Sequence, residues 1–168
     1  TRIAASKLRR AEKHYVSFVE SSPSDQLQPK LHTMEYCKPG DDVDYREPRI
    51  VDVATGTLHA PSTELFSHQY NLGHPYWLGD SDKIYFEYNQ RGHKVYRLLE
   101  YSAATDTVRP VVEETSDKFV NYSRLWRRYI RDGKELLWTS ERDNHNHIYL
   151  YDVATGTVKR QITRGEWY

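Results

Sequence analysis

Two histidines separated by one residue are the first side chains in this sequence that could do chemistry. His145 and His147 would point to the same face of an extended strand, because side chains alternate along a strand. Imidazole pairs of this kind bind zinc or copper when further ligands complete the site. No clear third ligand accompanies them, and the neighbouring amide side chains are typical of a polar loop. We therefore assign no metal and no cofactor, and keep metal binding by this pair as the lesser alternative.

Three aspartates follow a Lys-Pro-Gly turn and offer a second candidate for metal binding. They are Asp41, Asp42 and Asp44. Carboxylates are calcium ligands, but the order of oxygen donors that defines an EF-hand loop is missing here. The spacing favours a solvated turn over a calcium site.

Four arginines interleave with two aromatic residues in one short segment. Strips of cations and rings can bind single-stranded nucleic acid. The chain, however, carries 24 Lys and Arg against 24 Asp and Glu, so no net field attracts a polyanion. We predict no nucleic-acid partner, and expect these arginines to pair with acidic residues of neighbouring structural units. The arginines are Arg124, Arg127, Arg128 and Arg131, and the rings are Trp126 and Tyr129.

The sequence lacks the motifs of the common catalytic sites. It has no Gly-x-Ser-x-Gly nucleophile elbow and no glycine-rich phosphate loop. Its single cysteine, Cys37, excludes an internal disulfide and a cysteine-built zinc site. No apolar run approaches the roughly 18 residues that a membrane span requires. We therefore predict neither catalytic residues nor a membrane span in this chain.

A seven-residue phrase occurs three times and reveals how the chain is organised. A fixed period near 50 residues that is built from short strands is typical of β-propeller blades. The Asp, Thr and Gly residues of the phrase are turn formers, and strand-favouring residues flank each copy. Each copy is therefore predicted to be a hairpin turn between two strands. The copies are Val-Asp-Val-Ala-Thr-Gly-Thr at 51–57, Tyr-Ser-Ala-Ala-Thr-Asp-Thr at 101–107 and Tyr-Asp-Val-Ala-Thr-Gly-Thr at 151–157.

The repeat predicts an all-β fold, a β-propeller sector of about three four-stranded antiparallel blades at about 1–62, 63–113 and 114–165. In the first unit, a Pro- and Ser-rich insertion around 21–25 separates predicted strands at 14–20 and 30–36. Strands of the second unit are predicted at 73–77, 83–88, 95–101 and 107–112, with a turn at 79–82. Strands of the third unit are predicted at 126–130, 135–139, 147–151 and 157–162.

An open sector of blades leaves strands without partners at its two ends. Closed propellers usually need four to eight blades, so three do not complete a ring. Unpaired strand edges favour association with another chain. We therefore expect the chain to self-associate through its exposed blade edges.

Three stretches of the sequence resemble the propeller domain of the dipeptidyl peptidase IV family, in the prolyl oligopeptidase class of serine peptidases. The likeness extends over essentially the whole chain. The first stretch is Tyr-Cys-Lys-Pro-Gly-Asp at 36–41 leading to Pro-Arg-Ile-Val-Asp at 48–52. The second is Trp-Thr-Ser-Glu-Arg-Asp at 138–143 leading to His-Ile-Tyr-Leu-Tyr-Asp at 147–152. The third is Gln-Ile-Thr-Arg-Gly-Glu-Trp at 161–167.

This resemblance implies a parent enzyme in which an eight-bladed propeller caps an α/β-hydrolase domain. Such enzymes remove dipeptides from peptide N-termini, often after proline or alanine, and an exported bacterial enzyme is the kind implied. We expect the family's Ser, Asp and His triad to follow Tyr168 and its paired glutamates to precede Thr1. Glu113 and Glu114 stand in the wrong order relative to the Lys-Pro-Gly turn to be that pair.

One substrate contact is implied within this chain. The family places an aromatic side chain near the peptide from the loop before the last blade of this segment. Tyr122 stands about there, with Phe119 as the alternative, while the family's neighbouring arginine falls on Ser123. We therefore predict a non-catalytic propeller segment that admits slender peptides to the hydrolase domain, with Tyr122 as a substrate-binding residue. The alternative is a stand-alone, propeller-like adaptor that binds a protein partner.

Overall fold

The computed structural model describes residues 1–79 and 82–166, and its regular structure is almost entirely β. Helical structure among these residues is confined to two short 3-10 turns, Glu64–Phe66 and Tyr122–Arg124. The all-β prediction is confirmed. Asp80 and Ser81 of the predicted turn at 79–82, and Trp167 of the third family-like stretch, lie outside the described residues. The chain forms two compact units, one of residues 1–7 and 46–168 and a smaller one of residues 8–45.

The first 60 residues contribute a three-stranded sheet and a separate hairpin. In the sheet, the strand order is β1-β4-β5. β2 and β3 pair only with each other, from Tyr15 opposite Glu35 to Glu20 opposite Lys30. The strands on either side of the predicted insertion therefore form a hairpin of their own, and the first sheet has three strands where four were expected. The strands are β1 (Arg2–Arg9), β2 (Tyr15–Glu20), β3 (Lys30–Glu35), β4 (Tyr45–Asp52) and β5 (Leu58–His59).

The second sheet has the predicted meander with a broken first strand. Its order is β10-β9-β8-β6, and β7 also pairs with β8. One strand was predicted at 73–77, but the structure has two short strands here. Pro75 lies between them and has no N–H to donate to β8, which interrupts the ladder. The strands are β6 (Gln69–Leu72), β7 (Tyr76–Trp77), β8 (Lys83–Gln90), β9 (Val95–Ser102) and β10 (Thr107–Thr115).

The third sheet is the four-stranded unit that the sequence predicted. Its order is β11-β12-β13-β14, with antiparallel pairing throughout. The strand boundaries agree with the predicted ones to within about two residues. The strands are β11 (Arg127–Ile130), β12 (Glu135–Ser140), β13 (His147–Asp152) and β14 (Thr157–Gln161).

The repeated phrase forms the predicted turns. The second copy joins β9 to β10, the third joins β13 to β14, and the first joins β4 to β5. Gly56 and Gly156 both have a φ of 70°, and Asp106 occupies the same left-handed region at 52°. In every copy the two threonine hydroxyls lie 2.7 Å apart. Identical local chemistry therefore gives the same turn three times.

Two hydrophobic cores join the three sheets, and each core contains residues from two sheets that follow one another along the chain. The side chains of β8 alternate between two faces, and both faces are buried because each packs against one of the cores. Ile84, Phe86 and Tyr88 face the first core, which also includes Ile50 of β4. Tyr85 faces the second core, which lies between the second and third sheets. The other buried residues of the second core are Leu98, Val111, Val112, Leu136, Trp138, Tyr149, Tyr151 and Val153.

The turn formed by the third copy of the phrase packs against the edge of the second sheet. The α-carbon of Gly156 lies so close to β10 that an added Cβ would approach the carbonyl oxygens of Pro110 and Val111 to 3.1 and 3.2 Å. Arg109 of β10 donates to the Val153 carbonyl at 2.8 Å. The same guanidinium binds the buried Glu100 with two hydrogen bonds of 2.9 and 2.7 Å. The ion pair lies within the second sheet and positions Arg109, whose hydrogen bond to Val153 joins this sheet to the third.

Candidate functional site

The predicted contact residue Tyr122 lies where two loops of the second and third sheets meet. The turn between β8 and β9 contacts the connection that follows β10. Ser116 donates its backbone N–H to the Lys94 carbonyl at 2.9 Å, and Val120 donates to the His93 carbonyl at 2.7 Å. These bonds fix the connection just before the 3-10 turn that carries Tyr122. His93 itself has a φ of 56°, so its backbone turns sharply at this point.

Tyr122 belongs to a group of four rings, here named the ring cluster, which consists of Tyr70, His93, Phe119 and Tyr122. His93 occupies the centre. Its ring centroid lies 4.5 Å from that of Tyr70, 4.8 Å from that of Tyr122 and 5.5 Å from that of Phe119. Tyr70 and Phe119 are 48% and 51% exposed, so much of the cluster faces solvent. Both predicted candidates, Tyr122 and Phe119, are thus in one surface cluster.

Polar contacts hold the ring cluster together. The Tyr70 phenol beside Tyr122 raises the pKa of Tyr122 above its ordinary value. The His93 Nδ1 atom lies 3.0 Å from the Asn89 amide oxygen. Sequence reasoning missed Tyr70 and His93, because they come from the first strand and the second hairpin of the preceding sheet. No spacing signal links those positions to Tyr122.

A cavity of about 380 Å³ lies beside the ring cluster and shares Phe119 with it. Its lining is mostly polar. Arg124 and Glu141 are exposed, and in the described part of the chain neither forms an ion pair. Amides are the commonest functional group in the lining. Their side chains are Asn121, Asn144 and Asn146.

Glu114 lines this cavity, and both oxygens of its carboxylate accept hydrogen bonds. It is 7% exposed and accepts hydrogen bonds from Trp138 Nε1 at 3.0 Å, Ser140 Oγ at 2.7 Å and Arg142 at 2.8 Å. Glu113 instead pairs with Arg97. Neighbouring residues of a strand point to opposite faces, so the two carboxylates cannot hold one ammonium group together. The Glu-Glu sequence is therefore not a substrate pair in this structure.

Arg142 connects the cavity to the second core. Its guanidinium carbon lies 4.5 Å from the ring centroid of Tyr149 and 5.6 Å from that of Tyr151, the geometry of cation–π contacts. Burial raises the pKa of Tyr149 to about 12, and a hydrogen bond to Asp143 acts in the same direction.

The arginine segment divides its roles among several contacts. Arg127 pairs with Glu87 of the second sheet, as predicted for a contact between units, and lies 5.7 Å from the Tyr76 ring centroid. Arg131 pairs within its own sheet, with Glu135 at 3.2 Å. Arg128, like Arg124, is exposed. The four arginines therefore do not form one continuous cationic strip.

The two histidines of the candidate metal pair lie next to each other. Their ring centroids lie 6.2 Å apart, and His147 is 2% exposed. His147 Nε2 lies 2.8 Å from the Gly165 carbonyl, and its Nδ1 lies 3.2 Å from Thr163 Oγ1. Within residues 1–79 and 82–166, no group of three potential ligands could hold a metal ion. His147 thus ties the segment after β14 to β13.

Two of the three aspartates after the Lys-Pro-Gly turn accept backbone hydrogen bonds. Asp41 accepts the Lys38 backbone N–H at 2.7 Å, and Asp44 accepts that of Ala11 at 3.0 Å. The first bond closes the turn, and the second joins two distant segments of the smaller unit. Across the described ranges, no helix has the length and apolar character needed to cross a membrane.

Comparison with known proteins gives a family match and structural neighbours. The family model for the dipeptidyl peptidase IV (DPP IV) N-terminal region matches residues 1–168. A solved structure of Porphyromonas gingivalis dipeptidyl peptidase 4 superposes with a TM-score of 0.68 at 20% identity, over 90% of this chain and 21% of that one. A Bacteroides ovatus protein named as a dipeptidyl aminopeptidase IV gives 0.65 at 19% identity, over 98% and 25%. This chain therefore spans about a quarter of the length of these two relatives.

Proposed function

Because the chain belongs to the family of dipeptidyl peptidase IV N-terminal regions, we propose that it is the non-catalytic part of a serine exopeptidase and controls which peptides reach a C-terminal hydrolase domain. The observation that carries this proposal is the ring cluster beside the polar cavity. Exposed aromatic rings next to side-chain amides offer a peptide both apolar contact and hydrogen bonds. The common catalytic motifs are missing from the sequence, so the contribution of this segment to the enzyme is binding and exclusion.

Exclusion requires that the sheets stay together, since a gap between them would let peptides reach the hydrolase domain without selection. The contact between the second and third sheets supports such a role. Arg109 of one sheet donates to Val153 of the next, and Gly156 lies against the β10 backbone. The shared core beneath these contacts includes Trp138, which is 1% exposed. Peptides would therefore pass along the loops and not between these two sheets.

Selection requires a contact with the peptide, and Tyr122 is the residue we assign to it. Its phenol reaches the surface from a short 3-10 turn and is positioned by Tyr70 and His93. The arginine of the family pattern falls on Ser123, but the next residue, Arg124, is exposed and lines the cavity. Arg124 can therefore supply the positive charge that Ser123 lacks. The peptide carbonyl groups are the acceptors we expect it to bind.

The Tyr122→Ala variant of the intact enzyme tests this assignment. Loss of one aromatic contact should raise KM by about tenfold or less and leave kcat nearly unchanged, because the ring binds substrate and transition state alike. Tyr36→Ala is the matched control, since Tyr36 is 49% exposed and lies in the smaller unit. An unchanged KM in Tyr122→Ala, or an equal change in both variants, would remove Tyr122 from the site.

The isolated 168-residue chain gives a second test. It should cleave neither Gly-Pro nor Ala-Pro chromogenic substrates, because its sequence has no Gly-x-Ser-x-Gly nucleophile elbow. Turnover that a serine-reactive inhibitor abolishes would overturn the non-catalytic role. If the intact gene product contains no hydrolase domain, the adaptor alternative replaces the peptidase proposal.

A further inference from the structure

The cavity beside the ring cluster has two walls that come from different sheets. One wall is the connection 116–126, which follows β10 of the second sheet, and the other is the loop 141–146, which joins β12 to β13 of the third sheet. The width of the cavity therefore depends on how firmly this loop is held against the second sheet. Asp143 ties the loop to its own sheet, because its carboxylate accepts a hydrogen bond from Gln161 at 2.9 Å.

Glu114 and Arg142 tie the loop to the second sheet. Glu114 lies near the end of β10, and its buried carboxylate accepts a hydrogen bond from Arg142, the second residue of the loop, at 2.8 Å. The same carboxylate accepts the hydroxyl proton of Ser140, the last residue of β12, at 2.7 Å. Ser140 Oγ in turn accepts the backbone N–H of Arg142 at 3.2 Å and its Nε–H at 2.9 Å. Glu114 therefore orients both the backbone and the side chain of Arg142.

The shape of the Arg142 side chain suits this role. A guanidinium is planar and donates in several fixed directions. This one donates to Glu114, to Ser140 and to the Tyr151 hydroxyl, and its carbon lies 4.5 Å from the ring centroid of Tyr149. Lysine has the same charge but lacks this fixed fork, so it would keep the attraction to Glu114 and lose the orientation. The donors of Arg142 are thus engaged within the protein.

We infer that Glu114 and Arg142 are a positioning pair that holds the loop 141–146 against the second sheet and thereby sets how tightly the cavity binds a peptide. Both side chains line the cavity, but their polar groups are engaged, so they act through the loop. Asn144 and Asn146 are the loop residues whose amides the pair would present to the peptide backbone. This inference rests on the proposed function, since it names residues that position the peptide-binding cavity.

Glu113 offers a matched control on the same strand. It also pairs with an arginine, Arg97, but its side chain is 41% exposed. Neighbouring residues of a strand point to opposite faces, so its carboxylate points away from the one that binds the loop. Glu113→Gln therefore removes one charge from β10 without changing the contact to Arg142, whereas Glu114→Gln removes the charge that holds Arg142.

Hydrogen exchange of the 168-residue chain tests whether the pair positions the loop. The backbone N–H groups of Arg142 and Asn144 both donate hydrogen bonds, so their exchange rates report on the order of the loop. Glu114→Gln should speed the exchange of both by about tenfold, and leave the amides of β12 and β13 within about twofold. Arg142→Lys should have the same effect on Asn144. Equal loop exchange in folded Glu114→Gln and Glu113→Gln would overturn the positioning pair.

A double variant separates positioning of the loop from stability of the fold. Arg142→Met leaves the buried Glu114 carboxylate without its cation, and adding Glu114→Gln removes this unpaired charge. The double variant should therefore unfold at a higher urea concentration than Arg142→Met alone. Its Asn144 amide should nevertheless exchange as fast as in Glu114→Gln, because no charge pair orients the loop. Recovery of slow exchange together with stability would show that the pair serves stability alone, and would overturn the inference.

Kinetics of the intact enzyme connect the loop to peptide binding. For a hexapeptide that begins Gly-Pro, Glu114→Gln and Arg142→Lys should raise KM by about threefold to tenfold and leave kcat within about twofold, since a displaced loop weakens binding of substrate and transition state alike. Glu113→Gln should leave both constants unchanged.

The two measurements together distinguish failure of this inference from failure of the proposed function. Faster loop exchange with a raised KM supports both. If the loop exchanges faster while KM stays the same, the pair positions the loop, but the cavity does not bind the peptide and the proposed function fails. If KM rises while loop exchange is unchanged, the positioning pair is wrong and the proposed function survives.

Discussion

The contact between the second and third sheets can be tested with a pair of glycines in equivalent positions. Gly56 and Gly156 both end a Val-Ala-Thr-Gly sequence in their copies of the repeat, and both have a φ of 70°. Around Gly56, no heavy atom lies within 4 Å of an added Cβ. Around Gly156, an added Cβ would meet the carbonyl oxygens of Pro110 and Val111 at 3.1 and 3.2 Å. The Gly→Ala changes at these two positions therefore differ only in packing against β10.

The expected magnitudes follow from this comparison. A left-handed backbone costs an L-residue about 1–2 kcal/mol, and this cost is common to both variants. Gly156→Ala must in addition push two backbone oxygens aside by a few tenths of an ångström, which is comparable to mild overpacking at about 1–2 kcal/mol. We therefore expect Gly156→Ala to lower the free energy of unfolding by about 1–2 kcal/mol more than Gly56→Ala does.

Urea unfolding measures this difference directly. The four tryptophans provide the fluorescence signal, and Trp138 reports on the core between the two sheets. Hydrogen exchange should in addition show faster opening of β14 in Gly156→Ala than in Gly56→Ala. Equal unfolding free energies for the two variants would show that the third turn does not press on β10, and the proposed seal between these sheets would lose its main support.

Three further predictions concern charge and association. Arg109→Met should destabilise the chain by about 2 kcal/mol, because it leaves the buried Glu100 carboxylate with fewer partners. Adding Glu100→Gln should recover part of this lost stability. Strictly additive effects in the double-mutant cycle would contradict the ion pair. Backbone N–H donors hold the pKa of Asp152 below its ordinary value, so the stability that this carboxylate contributes is present above about pH 4 and is lost as the pH falls through the lower, folded pKa. Asp152→Asn should flatten this acid-side loss of stability in unfolding curves. An unchanged pH profile would refute the role of Asp152. Ile162 follows the outermost strand, β14, and its side chain is 43% exposed. Ile162→Lys should therefore weaken self-association of the chain by about tenfold or more in sedimentation experiments. If the chain without this substitution stays monomeric at high concentration, the predicted self-association is wrong.

Local chemistry accounts for the parts of the fold that the sequence predicted well. The Asp-x-Ala-Thr-Gly-Thr phrase contains its own turn, because Asp152 accepts the Thr155 N–H and Gly156 supplies the left-handed residue. Its Thr hydroxyl pair recurs even in the copy with Asp106 in place of glycine. Such contacts lie within seven residues, so they can be read from the sequence. The strands of the third sheet could also be predicted from local sequence, because strand-favouring residues flank its turn.

Pairing choices between distant strands were harder to predict. The hairpin of β2 and β3 has strand-like sequences, but nothing in them indicates that they pair with each other and not with β1 or β4. The break at Pro75 likewise depends on β8 as the partner of both β6 and β7. Each choice depends on competing partners that become neighbours only in the folded chain.

The sequence by itself determined the repeat, the turns and the all-β class, because these depend on side-chain alternation and on contacts between near neighbours. It also predicted that Tyr122 and Phe119 lie in the loop before the third sheet, between β10 and β11. Only the tertiary structure decided that Tyr70 and His93 join them, since these residues come from different elements of the preceding sheet. It likewise decided that Gly156 is crowded while Gly56 is free. The same local turn acquires a different role when another sheet packs against it.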